Sequence, residues 1–190
     1  MVKNVLWRYD CEYLNNEIEN CNEKYICFSF PEVNLNQNKT EEQLLYFKKN
    51  PSVSVLGTSV SLFHDNKKDE TIFFPLDHDN CYKLFYNDML DPVFEGSVMI
   101  ERESILNVGG FSPKIRKSEI VLQEALFPHL LARLLLKGYQ VNNLKETLAS
   151  CHTDYFYRTQ SYYFEIKLIW GMFRRKTFRI KPLADRIFKK

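Results

Sequence analysis

No apolar run in this 190-residue chain reaches the length of a membrane-spanning helix, and Met1-Val2-Lys3-Asn4 is not followed by a signal-peptide core. Strong charge of one sign is also missing. The net charge of +2 excludes nucleic-acid binding driven by the field of the whole molecule. No CxxC pair occurs among the five cysteines (Cys11, Cys21, Cys27, Cys81, Cys151), which are scattered and odd in number. That pattern argues against a zinc site or a disulfide framework and fits reduced cysteines, so the expected compartment is the cytoplasm. There is no internal repeat, which sets solenoids aside. What is present is a 45% hydrophobic, 15% aromatic chain, enough for the core of one domain with a tail.

Residues 9–21 are rich in Asn and Glu, with Tyr13, Leu14 and Ile18 at roughly helical spacing, and predict a polar surface helix. Lys24 to Phe30 predicts a short buried strand ended by Pro31. Thr40-Glu41-Glu42-Gln43 has the form of a capping box, and Asn50-Pro51 ends the helix it opens. Val53 to Phe63 is strand-like, His64 to Asp69 a solvated turn, and Thr71 to Phe74 the returning strand. A polar helical stretch runs from the mid-70s to about Asp91, before Pro92. Gly96 to Ile100 predicts the next strand and Glu101 to Asn107 a short helix, ended by Gly109-Gly110. Phe127 to Lys137 predicts an apolar helix around Arg133, with Gly138 just beyond it. Tyr139 to Leu144 and Thr147 to Cys151 predict two closing strands. Together these give an α/β class chain with a mixed sheet flanked by helices.

Three segments, in order, resemble the second half of a family 2, GT-A type glycosyltransferase. The first runs from Asn22 to Val33, where the family has a strand of the form "geYIaflDaDD"; Asn50-Pro51-Ser52-Val53-Ser54-Val55-Leu56-Gly57 then matches its "NPdVdvvG". The second is Gly96-Ser97-Val98-Met99-Ile100-Glu101-Arg102-Glu103 through Val108-Gly109-Gly110-Phe111, similar to "gs.mirre.l..vGGF". The third is Leu130 to Tyr139, like "dLwlRllkkGyk". The resemblance covers most of residues 22–152. It implies a partial GT-A-like, Rossmann-like domain over 1–155, with residues 156–190 as an aromatic and basic C-terminal helical tail.

The resemblance also implies a nucleotide-sugar donor, a glycan acceptor and a divalent metal, Mn²⁺ or Mg²⁺, held by an Asp-x-Asp motif against the diphosphate. Here that motif reads Phe30-Pro31-Glu32, so one carboxylate is replaced and Glu32 stands either as a lone ligand or as a solvated loop residue. His152 falls where related enzymes sometimes place a histidine near metal or diphosphate; an ordinary surface histidine is the other reading. The family's βα units for base and ribose would lie upstream of Met1, so either a partner chain supplies that half, or this polypeptide has lost it, or the chain start is not the native one. An inverting transfer needs a carboxylate to take the acceptor proton; the resemblance nominates Glu124, then Glu119. It assigns Arg133 to the catalytic machinery through an ion pair that holds the catalytic loop. Gly96 and Ser97 would line the acceptor side, with Gly109 and Gly110 in the following turn; close packing at a strand start is the alternative. His129 beside Pro128 reads as helix-face packing.

In the tail, Tyr162, Tyr163, Phe164, Ile166, Leu168, Ile169, Trp170 and Phe173 run into Arg174, Arg175, Lys176, Arg179, Lys181, Arg186, Lys189 and Lys190. This suits an amphipathic basic helix on an anionic membrane surface, peripheral on the inner face of the cell membrane; a helix packed back on the domain is the alternative. No nucleic-acid recognition motif accompanies the charge. Two functions follow. One is hexose transfer to a glycan or lipid-linked acceptor in surface polysaccharide synthesis. The other is a non-catalytic remnant that serves as an interaction or membrane-docking module.

Overall fold

A computed structural model describes residues 1–65, 67–88, 90–112, 126–157 and 159. In chain order the elements are β1 (Val2–Leu6), α1 (Cys11–Glu19), β2 (Tyr25–Ser29), β3 (Val33–Leu35), α2 (Lys39–Lys49), β4 (Val53–His64) and β5 (Lys67–Ile72). Then come α3 (His78–Lys83), a π-helical turn Leu84–Asp88, a 3₁₀ turn Glu95–Ser97, β6 (Met99–Glu101), α4 (Arg102–Asn107), α5 (Leu126–Leu136) and β7 (Gln140–His152). The fold is mixed α/β, with one curled sheet in the order β1-β2-β6-β4-β7-β3 and β5 hairpinned onto β4. Among the described residues no helix is long and apolar enough to cross a membrane.

Strand direction decides where a site can form. β1 and β2 are parallel, β6 is antiparallel to both β2 and β4, and β4 is parallel to β7. The carboxyl ends of β1, β2, β4 and β7 therefore share one edge of the sheet, and the 3₁₀ turn before β6 arrives at that same edge. Ligands of open α/β sheets bind outside such an edge. The far halves of β4 and β7 carry β3 across it, since Val33–Leu35 pairs with Ala149–Cys151. The main core lies on the face covered by α1, α4 and α5; a smaller one of Cys27, Phe47, Val53, Leu56 and Met99 lies under α2.

Several sequence expectations change. Met1 to Arg8 carries no alternating pattern, yet Val2–Leu6 forms β1, so β1–α1–β2 is a complete βαβ unit. The two closing strands are one strand, β7, because its register against β4 slips between Thr58 and Val60. Lys145 and Glu146 sit in that bulge, so their polarity marks an irregularity within a strand and not a loop. The returning strand is Lys67–Ile72, set by a tight hairpin in which Asp65 takes a φ of 47°. Gly96 and Ser97 belong to the 3₁₀ turn and β6 starts only at Met99.

The capping box does not form. α2 begins at Lys39, its N-cap is Asn38, and no side-chain cap bond is made there. Gln43 is instead fully buried, and its Nε2 donates to the Leu56 and Ser97 carbonyls at 2.8 and 3.0 Å. Two interior carbonyls beside the short β4–β6 pairing need a donor more than a solvated helix start does.

Candidate functional site

The carboxyl edge of β1 and β2 is closed by aromatic rings. Trp7 stacks on Phe30 at 4.9 Å between centroids and meets Phe28, Phe111 and Phe127 edge-on. Phe30 is 6% exposed. It occupies the place where the resemblance expects a metal-binding aspartate, so that position serves packing. Tyr9, on the loop after β1, meets Trp7 edge-on and remains 45% exposed, and Arg8 lies 4.4 Å from the Tyr13 ring centre.

Glu32 is exposed in the turn between β2 and β3. It precedes β3, whose first residue Val33 pairs with Cys151, the residue before His152. His152 is already engaged: its ring lies 5.4 Å from that of His64, its Nδ1 is 3.7 Å from an Asp154 carboxylate oxygen, and the Asp154 N–H donates to the same nitrogen. Among the described residues no three His, Cys, Asp or Glu side chains form a group able to hold a metal ion. A hard divalent cation wants several converging carboxylate or carbonyl oxygens. One exposed glutamate beside a ring stack does not fit that demand.

Gly96 and Ser97 lie at this edge, and both are buried. A Cβ on Gly96 would stand 2.7 Å from a Val33 methyl and 3.0 Å from the Phe94 ring. Ser97 Oγ accepts from the Thr58 N–H at 3.1 Å and donates to the Phe94 carbonyl at 2.9 Å. The sequence reading passes over their neighbour Glu95, which is only 8% exposed. Burial first, and the Glu32 charge second, push its carboxyl up to about 8. Tyr155, in the helical turn after β7, is buried too, and its hydroxyl is pushed up by burial and then by Glu95 and Glu32. The Tyr155 ring lies 6.5 Å from that of Phe94, and Val33, next to Glu32, packs on Gly96, so the neighbours of all three groups gather around the 3₁₀ turn. The available signal was one Glu inside the apolar run from Pro92 to Ile100.

Gly109 and Gly110 take φ values of 82° and 64°, which only glycine adopts without strain. Two side chains lock this turn. Asn15 of α1 donates to the Phe111 carbonyl and accepts its N–H at 2.8 and 2.7 Å, and a Cβ on Gly110 would collide with the Asn15 side chain. Arg133 of α5 donates to the carbonyls of Val108, Gly110 and His129. The expected ion pair is therefore replaced, among the described residues, by a clamp on three backbone oxygens. It ties α5 to the end of α4, which are the two ends of the segment carrying Glu119 and Glu124; both glutamates lie outside the described residues. His129 is buried on α5, and burial, followed by the Arg133 charge, pushes its imidazole down to about 4. Residues 160–190, with the aromatic and basic stretch, also lie outside the description.

No protein-family model matches this sequence, and no curated protein does. Among solved structures, the chain is similar to two crystal structures of S. aureus TarS. The one of residues 1–349 aligns at 9% identity with a TM-score of 0.46, over 75% of this chain and 40% of that one. The other aligns at 10% identity with a TM-score of 0.48, over 75% of this chain and 24% of that one. The chain thus spans less than half the length of the proteins it aligns with.

Proposed function

We propose that this chain is a glycosyltransferase-like protein that transfers a hexose from a nucleotide-sugar to a glycan or lipid-linked acceptor in surface polysaccharide synthesis. The observation that supports it is the carboxyl edge of the sheet, where the 3₁₀ turn with Glu95 and Gly96 arrives and where Val33, the residue after Glu32, packs on Gly96. Acceptor activation needs a carboxylate held in a partly desolvated cleft. The donor's nucleotide half is held with the help of a partner chain, and Gly96, Ser97, Gly109 and Gly110 shape the acceptor side. No step is routed through a metal, since the described donor set does not fit one. The domain works in the cytoplasm, with residues 156–190 docking it on the inner face of the membrane.

A non-catalytic role as a docking module is favoured by a different observation, the Trp7–Phe30 stack that fills the metal position. Calorimetry with UDP, GDP and dTDP, each with and without manganese, separates the two. Saturable heat with one nucleotide supports transfer. Silence with all of them, followed by no turnover of any nucleotide-hexose, ends it.

A further inference from the structure

We propose that the outer face of α2 docks a second copy of this chain, helix against helix in antiparallel register, about a twofold axis between Leu44 and Leu45. The proposal does not rest on the transferase reading.

The two faces of α2 differ in what covers them. Lys39, Gln43 and Phe47 turn toward the sheet and are buried. Away from the sheet lies a groove of about 440 Å³ whose lining includes Glu41, Leu44, Leu45 and Lys48. Leu45 is 47% exposed, Leu44 is half-buried, and Glu41 and Lys48 are both exposed. Among the described residues neither of these charges is in an ion pair. A single exposed leucine on a helix is ordinary. Two adjoining leucines between charges of opposite sign make a patch that complements itself.

Helix geometry supplies the symmetry. At 3.6 residues per turn Glu41 and Lys48 stand nearly in line, two turns apart, with Leu44 and Leu45 midway on either side of that line. A twofold interface needs a surface in which each residue meets its counterpart's partner and the reverse. Turning a second α2 end for end sets Glu41 of each copy against Lys48 of the other and brings the leucines of both copies together. Parallel pairing would instead set Glu41 on Glu41 and Lys48 on Lys48, which like-charge repulsion opposes. Glu42 in the first turn and Lys49 in the last repeat the same polarity, and antiparallel helix dipoles attract. Two helical turns bury less than a standard interface, so the dimer is reversible, with a dissociation constant on the order of 10–100 μM.

Sedimentation equilibrium of the full chain at low salt, from about 1 μM to about 1 mM, reads the dimer directly. Wild type should pass from monomer to dimer over this range, and added salt should weaken the dimer by screening both charge pairs. Glu41→Lys sets cations against cations and Lys48→Glu sets carboxylates against carboxylates. Each variant alone should self-associate about tenfold more weakly or worse. Mixed in equal amounts, the two become complementary and should form a mixed dimer about as tight as wild type. Thermal melts confirm that each variant is folded. Leu45→Ser, at an exposed position, should weaken the dimer with its melt unchanged, and it carries the test alone if a charge variant fails to fold. A wild type that stays monomeric throughout overturns the proposal; if its melt also falls on Leu45→Ser, another part of the same chain covers the face. Variants that dimerise as tightly as wild type place the interface elsewhere and overturn it too. A mixture that shows no recovery, or one far tighter than wild type as parallel pairing would give, overturns the register.

Discussion

Lys39 and Glu95 are two buried ionisable side chains through which this protein's stability responds to pH, and the first is not legible as buried from its neighbours in sequence. Lys39 lies in the polar string Asn36 to Glu42 and reads as a solvated helix start. In the fold it is 3% exposed, with its Nζ 3.8 Å from Cys27 Sγ, and burial lowers its proton affinity. Unfolded chains then hold more protons than folded ones between the lowered value and 10.5, so stability rises with pH across that window. Lys39→Met keeps the length, removes the charge and should raise stability at pH 7 by roughly 1–3 kcal/mol, flattening the alkaline rise; an unchanged melt would show that the amine reaches water. Glu95 works in the opposite sense. Its folded value of about 8 lies above the ordinary 4.5, so the folded state holds the extra proton. Its contribution is complete below pH 4.5 and is lost as pH climbs through 8. Melts of wild type should therefore fall across this range, and those of Glu95→Gln should not; parallel curves would place the carboxyl in solvent.

Helices and strands with a full apolar period are legible, which is why α1, α5, β2 and β4 stand close to where the pattern predicts them. The misplaced ends are those where a tertiary partner outbids a local one. Gln43 leaves its helix start for two sheet carbonyls, and β7 stays one strand through a bulge that looks like a loop. Gly57, part of the Asn50–Gly57 segment that carries the resemblance, shows the same tertiary logic. A Cβ there would stand 2.2 Å from Asn143 Oδ1 on the neighbouring strand. Asn143 in turn donates to the Pro75 and Pro92 carbonyls at 2.7 and 2.8 Å, which pins the whole excursion between those prolines. Gly57→Ala should cost about 2–3 kcal/mol in denaturant unfolding, through displacement of a buried amide. The Gly57→Ala/Asn143→Ala double variant should recover part of that loss. A strictly additive pair would mean that the two side chains do not compete for space. The Arg133 clamp belongs to this scale also: Arg133→Met removes the side-chain donor from the Val108 and Gly110 carbonyls and should lower turnover together with stability, because it loosens both ends of the segment bearing Glu119 and Glu124.

At the scale of the molecule, the sheet order and the shared carboxyl edge could not be derived from local pattern, because they depend on the antiparallel insertion of the three-residue β6 between β2 and β4. The resemblance supplied the mixed sheet and marked Glu32, whereas Glu95, at the same edge, is a residue it does not mark. A transferase acting on a lipid-linked acceptor must also keep that edge near the bilayer, which is the task we assign to the tail. Each basic residue near an anionic surface contributes about 1 kcal/mol of attraction, and this is screened within a Debye length. Replacing Arg174, Arg175, Lys176 and Arg179 with glutamine therefore removes roughly 4 kcal/mol, close to a thousandfold in partitioning. In flotation with phosphatidylglycerol vesicles, the unaltered chain should rise with the lipid at low salt and detach at high salt, and neither protein should rise with neutral phosphatidylcholine. The four-residue variant should stay at the bottom of the anionic gradient while its melt matches wild type. If both proteins float alike, the basic cluster faces something other than lipid, and the acceptor must be brought to the carboxyl edge of the sheet by another route.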